Sequence, residues 1–192
     1  MFNLNEVKEN VGGNGLYIYP GVRNVTINGW SAGTSQNGKD FIEVELTTVE
    51  AMKEGKENAS KKFQFYMSEA AKDRSLSSIK HIVTKVTTSD KITNASDLNG
   101  FAAMLNSISK GKSLRVKFTG EEYEYNGEIK EAARIGLAPF AEAINSGADY
   151  DVVADADTKL TFDKNNQNDF KKLAVDNTPS VGATAAPANV NW

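Results

Sequence analysis

Apolar and polar residues alternate with period two through much of the chain, the pattern of strands buried on one face. A first strand over 16–30 sets Val25 and Ile27 on one parity and Asn24, Thr26, Asn28 and Trp30 on the other, after a bend at Pro20-Gly21. A loop by composition, SAGTSQNG, covers 31–38. The second strand turns Ile42, Val44 and Leu46 inward and Phe41, Glu43 and Glu45 outward. A Lys/Glu-rich connection at 50–60 leads into a third strand, 61–67, with Phe63, Phe65 and Met67 inward and Lys62, Gln64 and Tyr66 outward. Residues 112–137 then read as a hairpin of two long strands. Leu114, Val116 and Phe118 alternate with Arg115, Lys117 and Thr119; beyond the turn, Ile129, Ala133, Ile135 and Leu137 alternate with Lys130, Ala132 and Arg134, with Glu131 interrupting the apolar row. Asn126-Gly127 suits the positive φ angles of a tight hairpin turn, and Gly120 marks a bend or bulge.

Between the third strand and the hairpin the period becomes helical. Leu76, Ile79, Ile82, Val83 and Val86 share a face within 69–88, as do Leu98, Phe101, Ala102, Leu105 and Ile108 within 97–109, where Ser96 is placed as N-cap and Gly111 as the stop. The order β-β-β-αα-β-β, mainly β with a helical insert, is that of the OB-fold, a five-stranded barrel. The insert is expected to plug one barrel mouth. An open sandwich of similar strand count is the competing architecture.

Composition divides the chain. Residues 1–147 carry 18 Lys+Arg and 18 Asp+Glu, whereas 148–192 carry four Lys and seven Asp, which supplies the whole net charge of −3. The expected layout is a flexible N-terminal arm at 1–15, an OB-fold-like domain at 16–147 and an acidic, largely disordered tail at 148–192, with 160–175 adding one short strand or helix. The small-residue, proline-punctuated end of that tail buries too little apolar surface to offset its ordering entropy. With no cysteine there is no disulfide, thiol nucleophile or Cys-based zinc site. The N-terminal residues do not read as a signal peptide, and no stretch approaches the roughly 18 apolar residues of a membrane span. A cytoplasmic setting without membrane association is therefore expected.

Candidate chemistry is sparse. Gly12-Gly13-Asn14-Gly15 lacks the Gly-Lys-Ser/Thr ending of a phosphate loop. His81, the single histidine, lies off the helical stripe and reads as a solvated side chain. Glu121, Glu122 and Glu124 do not converge, because consecutive strand residues point to opposite faces. Asp149, Asp151, Asp155 and Asp157 lack the glycine and terminal glutamate of a calcium loop. No nucleophile–base pair, metal set or cofactor motif is recognisable, so no enzymatic activity is expected. The outward positions are more informative: Lys62 and Tyr66, Arg115 and Lys117, and Lys130 and Arg134, edged by Tyr123 and Tyr125 at the hairpin tip and Trp30 at the end of the first strand. In an OB barrel the third strand lies beside the fifth and the fourth beside the first, which gathers these side chains on one surface. Cations there meet phosphates and aromatic faces stack on unpaired bases. The alternatives are a merely solvated face and a buried Trp30, and Glu43 and Glu45 oppose a polyanion on the second strand.

The stretches PGVRNVTINGW, KKFQFYM and LRVKFTGEEY…ARIGLAPFAEAI, with this strand order and tail, resemble phage-encoded single-stranded DNA-binding proteins of the OB type. The resemblance spans roughly 16–145. It implies non-catalytic, sequence-tolerant coating of single-stranded DNA in replication or recombination, often as a homo-oligomer, in the cytoplasm of an infected bacterial cell. It also implies a tail whose aromatic tip, here Trp192, recruits replication or recombination proteins, although the four residues before the tip are uncharged. A structural or assembly module of a phage particle and an RNA-binding regulator are the rival readings.

Overall fold

The computed structural model describes residues 17–51, 58–136, 138–147 and 150–173; the arm expected at 1–15 and Trp192 lie outside them. The chain runs β1 (Gly21–Thr34), β2 (Asp40–Ala51), β3 (Asn58–Tyr66), α1 (Lys72–Val83), α2 (Leu98–Ser109), β4 (Ser113–Tyr125), β5 (Glu128–Ile135), β6 (Ala141–Ala143) and β7 (Phe170–Lys171). It is mainly β, with two helices between β3 and β4. The strands form one sheet in the order β3-β2-β1-β4-β5, and β6 and β7 also pair with β4. Every pairing is antiparallel except β4 with β7. Among the described residues no ladder joins β3 to β5, so the sheet is open along that seam.

The inward rows of the alternating segments make the core. Val25, Ile27, Ile42, Val44, Leu46, Leu114, Val116 and Phe118 are all fully buried, and the Phe63 and Phe118 rings stack with centroids 5.4 Å apart. Ile79, Ile82 and Leu105 bring both helices onto the same cluster. Burying each such side chain contributes about 1.5–3 kcal/mol. Asn126 and Gly127 both take positive φ, 54° and 76°, as the two central residues of a tight hairpin turn of the primed type require.

Two local departures from the sequence pattern have structural consequences. The β1–β2 register shifts between Ile27 and Gly29, a bulge that reverses side-chain parity. Trp30 is therefore turned inward and is only 5% exposed. Its Nε1 donates to Ser109 Oγ at 2.8 Å, and Asn106 of α2 brackets its backbone by accepting from Trp30 N and donating to Trp30 O. The N-cap of α2 is Asp97, one residue beyond the expected Ser96, accepting from Gly100 N at 2.7 Å.

Residues 150–173 are packed on the sheet, and β7 is the short strand expected within 160–175. Phe170 and Leu160 are buried, and β7 pairs with β4 at Gly120 and Glu121. A Cβ at Gly120 would stand 2.4 Å from the Phe170 ring and 2.6 Å from Pro20, so glycine serves here to let the aromatic ring approach the backbone.

Candidate nucleic-acid interface

The outer face of β4 carries Arg115 and Lys117, and the C-terminal segment covers both. Arg115 is 4% exposed; its Nη1 donates to Glu142 Oε2 at 3.1 Å and to Val153 O at 3.2 Å, and its Nη2 pairs with Asp155. Lys117 pairs with Asp169, which also accepts from Asp163 N at 3.0 Å. Burial by itself would raise the Glu142 pKa, but the Thr158 hydroxyl, the Lys159 N–H and Arg115 together hold it below the usual range. Asp169 behaves likewise: burial opposes ionisation, and Lys117 with the Asp163 N–H outweighs it. Arg115 and Lys117 are thus ion-paired beneath the C-terminal segment, and Trp30 lies in the core. These three candidates are not brought together with the others on the open surface.

The remaining candidates gather along the open seam between β3 and β5. On one face of the β4–β5 hairpin the register sets Tyr123 opposite Lys130 and Thr119 opposite Arg134. Near the hairpin tip, Tyr17, Tyr19, Tyr123 and Tyr125, all exposed, line a cleft of about 570 Å³ with Lys130 and Glu131. The Lys130 ammonium stands 4.7 Å from the Tyr125 ring centroid. A second cavity of about 280 Å³ shares Tyr17, Tyr123 and Glu131 with that cleft and adds Ser60 and Lys61 of β3. A third, of about 620 Å³, continues from Lys61, Ala132 and Ala133 to Lys62, Tyr66, Arg134 and, from α1, Arg74. The three adjoin through shared lining residues, aromatic at the hairpin end and basic at the α1 end.

Within them Lys62 and Arg134 are ion-paired and Lys61 bonds a backbone carbonyl. Lys62 Nζ lies 3.1 Å from Glu43 Oε1, and Arg134 pairs with Glu121. Lys61 Nζ donates to Ala133 O across the seam at 2.6 Å; burial, and secondly the charge of Arg134, lower its pKa. The Tyr66 hydroxyl donates to Gln64 Oε1 at 3.0 Å while its ring meets Phe41 edge-on.

Tyr17, Tyr19, Lys61 and Arg74 are the groove residues that the alternation pattern passed over. Tyr17-Ile18-Tyr19 does carry a signal, a short alternation with Ile18 buried between two exposed rings. Lys61 shares parity with Phe63 and so reads as inward, where it faces the gap rather than the core. His81 is not a solvated side chain: its Nε2 accepts from the N–H groups of Phe140 and Ala141, both at 3.3 Å. Among the described residues no cluster of three or more His, Asp or Glu is placed to hold a metal ion, and no helix is long and apolar enough to cross a membrane. No protein-family model matches the chain, and no curated protein shows significant similarity to it.

Proposed function

We propose that this protein binds single-stranded DNA along the β3–β5 seam, without sequence preference and without catalysis, as a phage protein of replication or recombination in the cytoplasm of an infected bacterial cell. The observation that carries the reading is the adjacency of the tyrosine cleft and the basic groove through shared lining residues. Four exposed rings offer stacking faces to unpaired bases, each stacked base being worth about 1–3 kcal/mol, while Lys62, Lys130, Arg134 and Arg74 lie along the same path for the phosphates. The strand order β3-β2-β1-β4-β5 supports it, being that of an OB barrel opened between its third and fifth strands. A groove lined by ring faces favours splayed bases, which a duplex does not present.

Fluorescence anisotropy with labelled single-stranded DNA, the same sequence as duplex, and the matching RNA tests this. Single-stranded DNA of mixed sequence is expected to bind best. Three to five phosphate contacts give a log-log salt slope of roughly −2 to −3.5. Replacing Tyr17 and Tyr125 by Ala together lowers affinity without moving the melting temperature. Equal binding of duplex, or a flat salt response, overturns the proposal; preference for RNA favours the regulator on the same groove.

A further inference from the structure

Two of the seam cations, Lys62 and Arg134, are already paired with carboxylates, and the members of these two pairs differ in how firmly they are held. Lys62 and Arg134 are 60% and 68% exposed, whereas their partners Glu43 and Glu121 are 12% and 28% exposed. The carboxylates lie against the sheet and the cations reach over them. Glu43 is held in addition by Gln64 Nε2, which donates to its other oxygen at 3.1 Å. Arg134 directs both Nε, at 2.8 Å, and Nη2 to a single oxygen of Glu121. Glu121 also acts on Lys61, raising a pKa that burial and Arg134 lower, so one carboxylate offsets two cations of the groove.

We infer that Glu43 and Glu121 are specificity-determining residues that stand in for phosphate, so that the seam admits a polynucleotide and rejects a mononucleotide. The inference rests on the reading of the seam as a DNA site. An incoming phosphate must exchange with a carboxylate that is also anionic and already accepts the cation's N–H groups. For one phosphate the bonds gained and lost nearly cancel, and the displaced carboxylate then repels the ligand. A strand that spans the groove makes the second exchange intramolecular and adds base stacking at the tyrosine end, which a single nucleotide cannot combine. Exposed ion pairs are individually weak, so the exchange is readily reversible.

The test compares the full-length protein with its Glu43→Gln, Glu121→Gln and double variants, using a thymidine 20-mer and thymidine monophosphate as probes at low and at ~0.5 M salt. Glutamine keeps the size and an acceptor oxygen, so melting curves are expected to coincide. Each substitution is expected to tighten 20-mer binding roughly two- to fivefold at low salt, the range that an exposed pair commands, with the gain fading as salt rises. Thymidine monophosphate is expected to compete against the double variant and not against the wild type. If the wild type binds the 20-mer and the variants bind it no better, this inference falls and the DNA reading stands. If no form binds the 20-mer, both fall.

Discussion

Arg115 and Lys62 hold equivalent places in alternating strands, yet one is enclosed by Glu142, Val153 and Asp155 while the other overhangs Glu43 in solvent. Truncating Arg115 to Ala leaves the Glu142 carboxylate buried without its cation, a change that costs about 3–5 kcal/mol in such settings. The melting temperature is expected to fall by many degrees. Lys62→Gln, on an exposed side chain, should stay within about 0.5 kcal/mol of the wild type and, on the proposed reading, lower DNA affinity. Calorimetry and binding on the two variants separate structural from ligand-facing charge. His81 is structural too, but as a neutral side chain. Its Nε2 must be unprotonated to accept the Phe140 and Ala141 N–H groups, and burial, then Lys85, lower its pKa. The unfolded chain therefore binds this proton more readily. Stability from the contact is complete above about pH 6.5 and declines as pH falls through that value towards the lower folded pKa. Thermal melts across pH 5–8 should show that slope in the wild type and lose it in His81→Gln.

Among the elements, the segment 150–173 and the β4–β5 hairpin make opposite use of β4. The hairpin projects its outer half beyond the core, where Tyr123, Tyr125 and Ile129 are exposed, and so presents ring faces to solvent. The C-terminal segment is held along β4 by carboxylates: Asp155 on Arg115, Asp169 on Lys117, and Glu142 as the acceptor for Thr158 and Lys159. The pKa values of Glu142 and Asp169 are depressed in the fold, so the stability they contribute is complete above the ordinary carboxylate range and is lost as pH falls through their lower folded values. Acidification towards pH 3 is expected to release 150–173 before the β1–β2–β4 core opens. Hydrogen exchange at the Phe170 and Leu160 amides, followed against those of Val25 and Val44, measures the order of opening; simultaneous loss would mean that the segment and the core are one cooperative unit.

For the molecule as a whole, residues 150–173 are an integral layer of the fold. Deleting 148–192 strips Phe170 and Leu160 from the sheet, each worth about 1.5–3 kcal/mol, and leaves Arg115 and Lys117 without Asp155 and Asp169. The truncated protein should melt earlier. It should also bind single-stranded DNA no more tightly through its seam, since the groove cations Lys62 and Arg134 are paired with Glu43 and Glu121 and not with the deleted acids. Melting and anisotropy on the same preparation check both statements.

The sequence by itself determined the strands β1 to β5, both helices, the Asn126-Gly127 turn and most of the inward row. Each of these follows from local periodicity or turn chemistry. It also placed Lys62, Tyr66, Tyr123, Tyr125, Lys130 and Arg134 on surfaces that meet in the groove. Alternation states which parity faces the core; it does not state what lies against the other face. Only the tertiary structure decided that 150–173 covers Arg115 and Lys117, because those contacts are made by residues far along the chain: Val153 and Asp155 on Arg115, and Asp169 on Lys117. One bulge, fixed by Asn106 of a distant helix, moved Trp30 from the surface to the core. The seam that brings Tyr17 and Tyr19 near Lys61 and Arg134 exists because β3 and β5 lie side by side without pairing, an arrangement that no period in the sequence encodes.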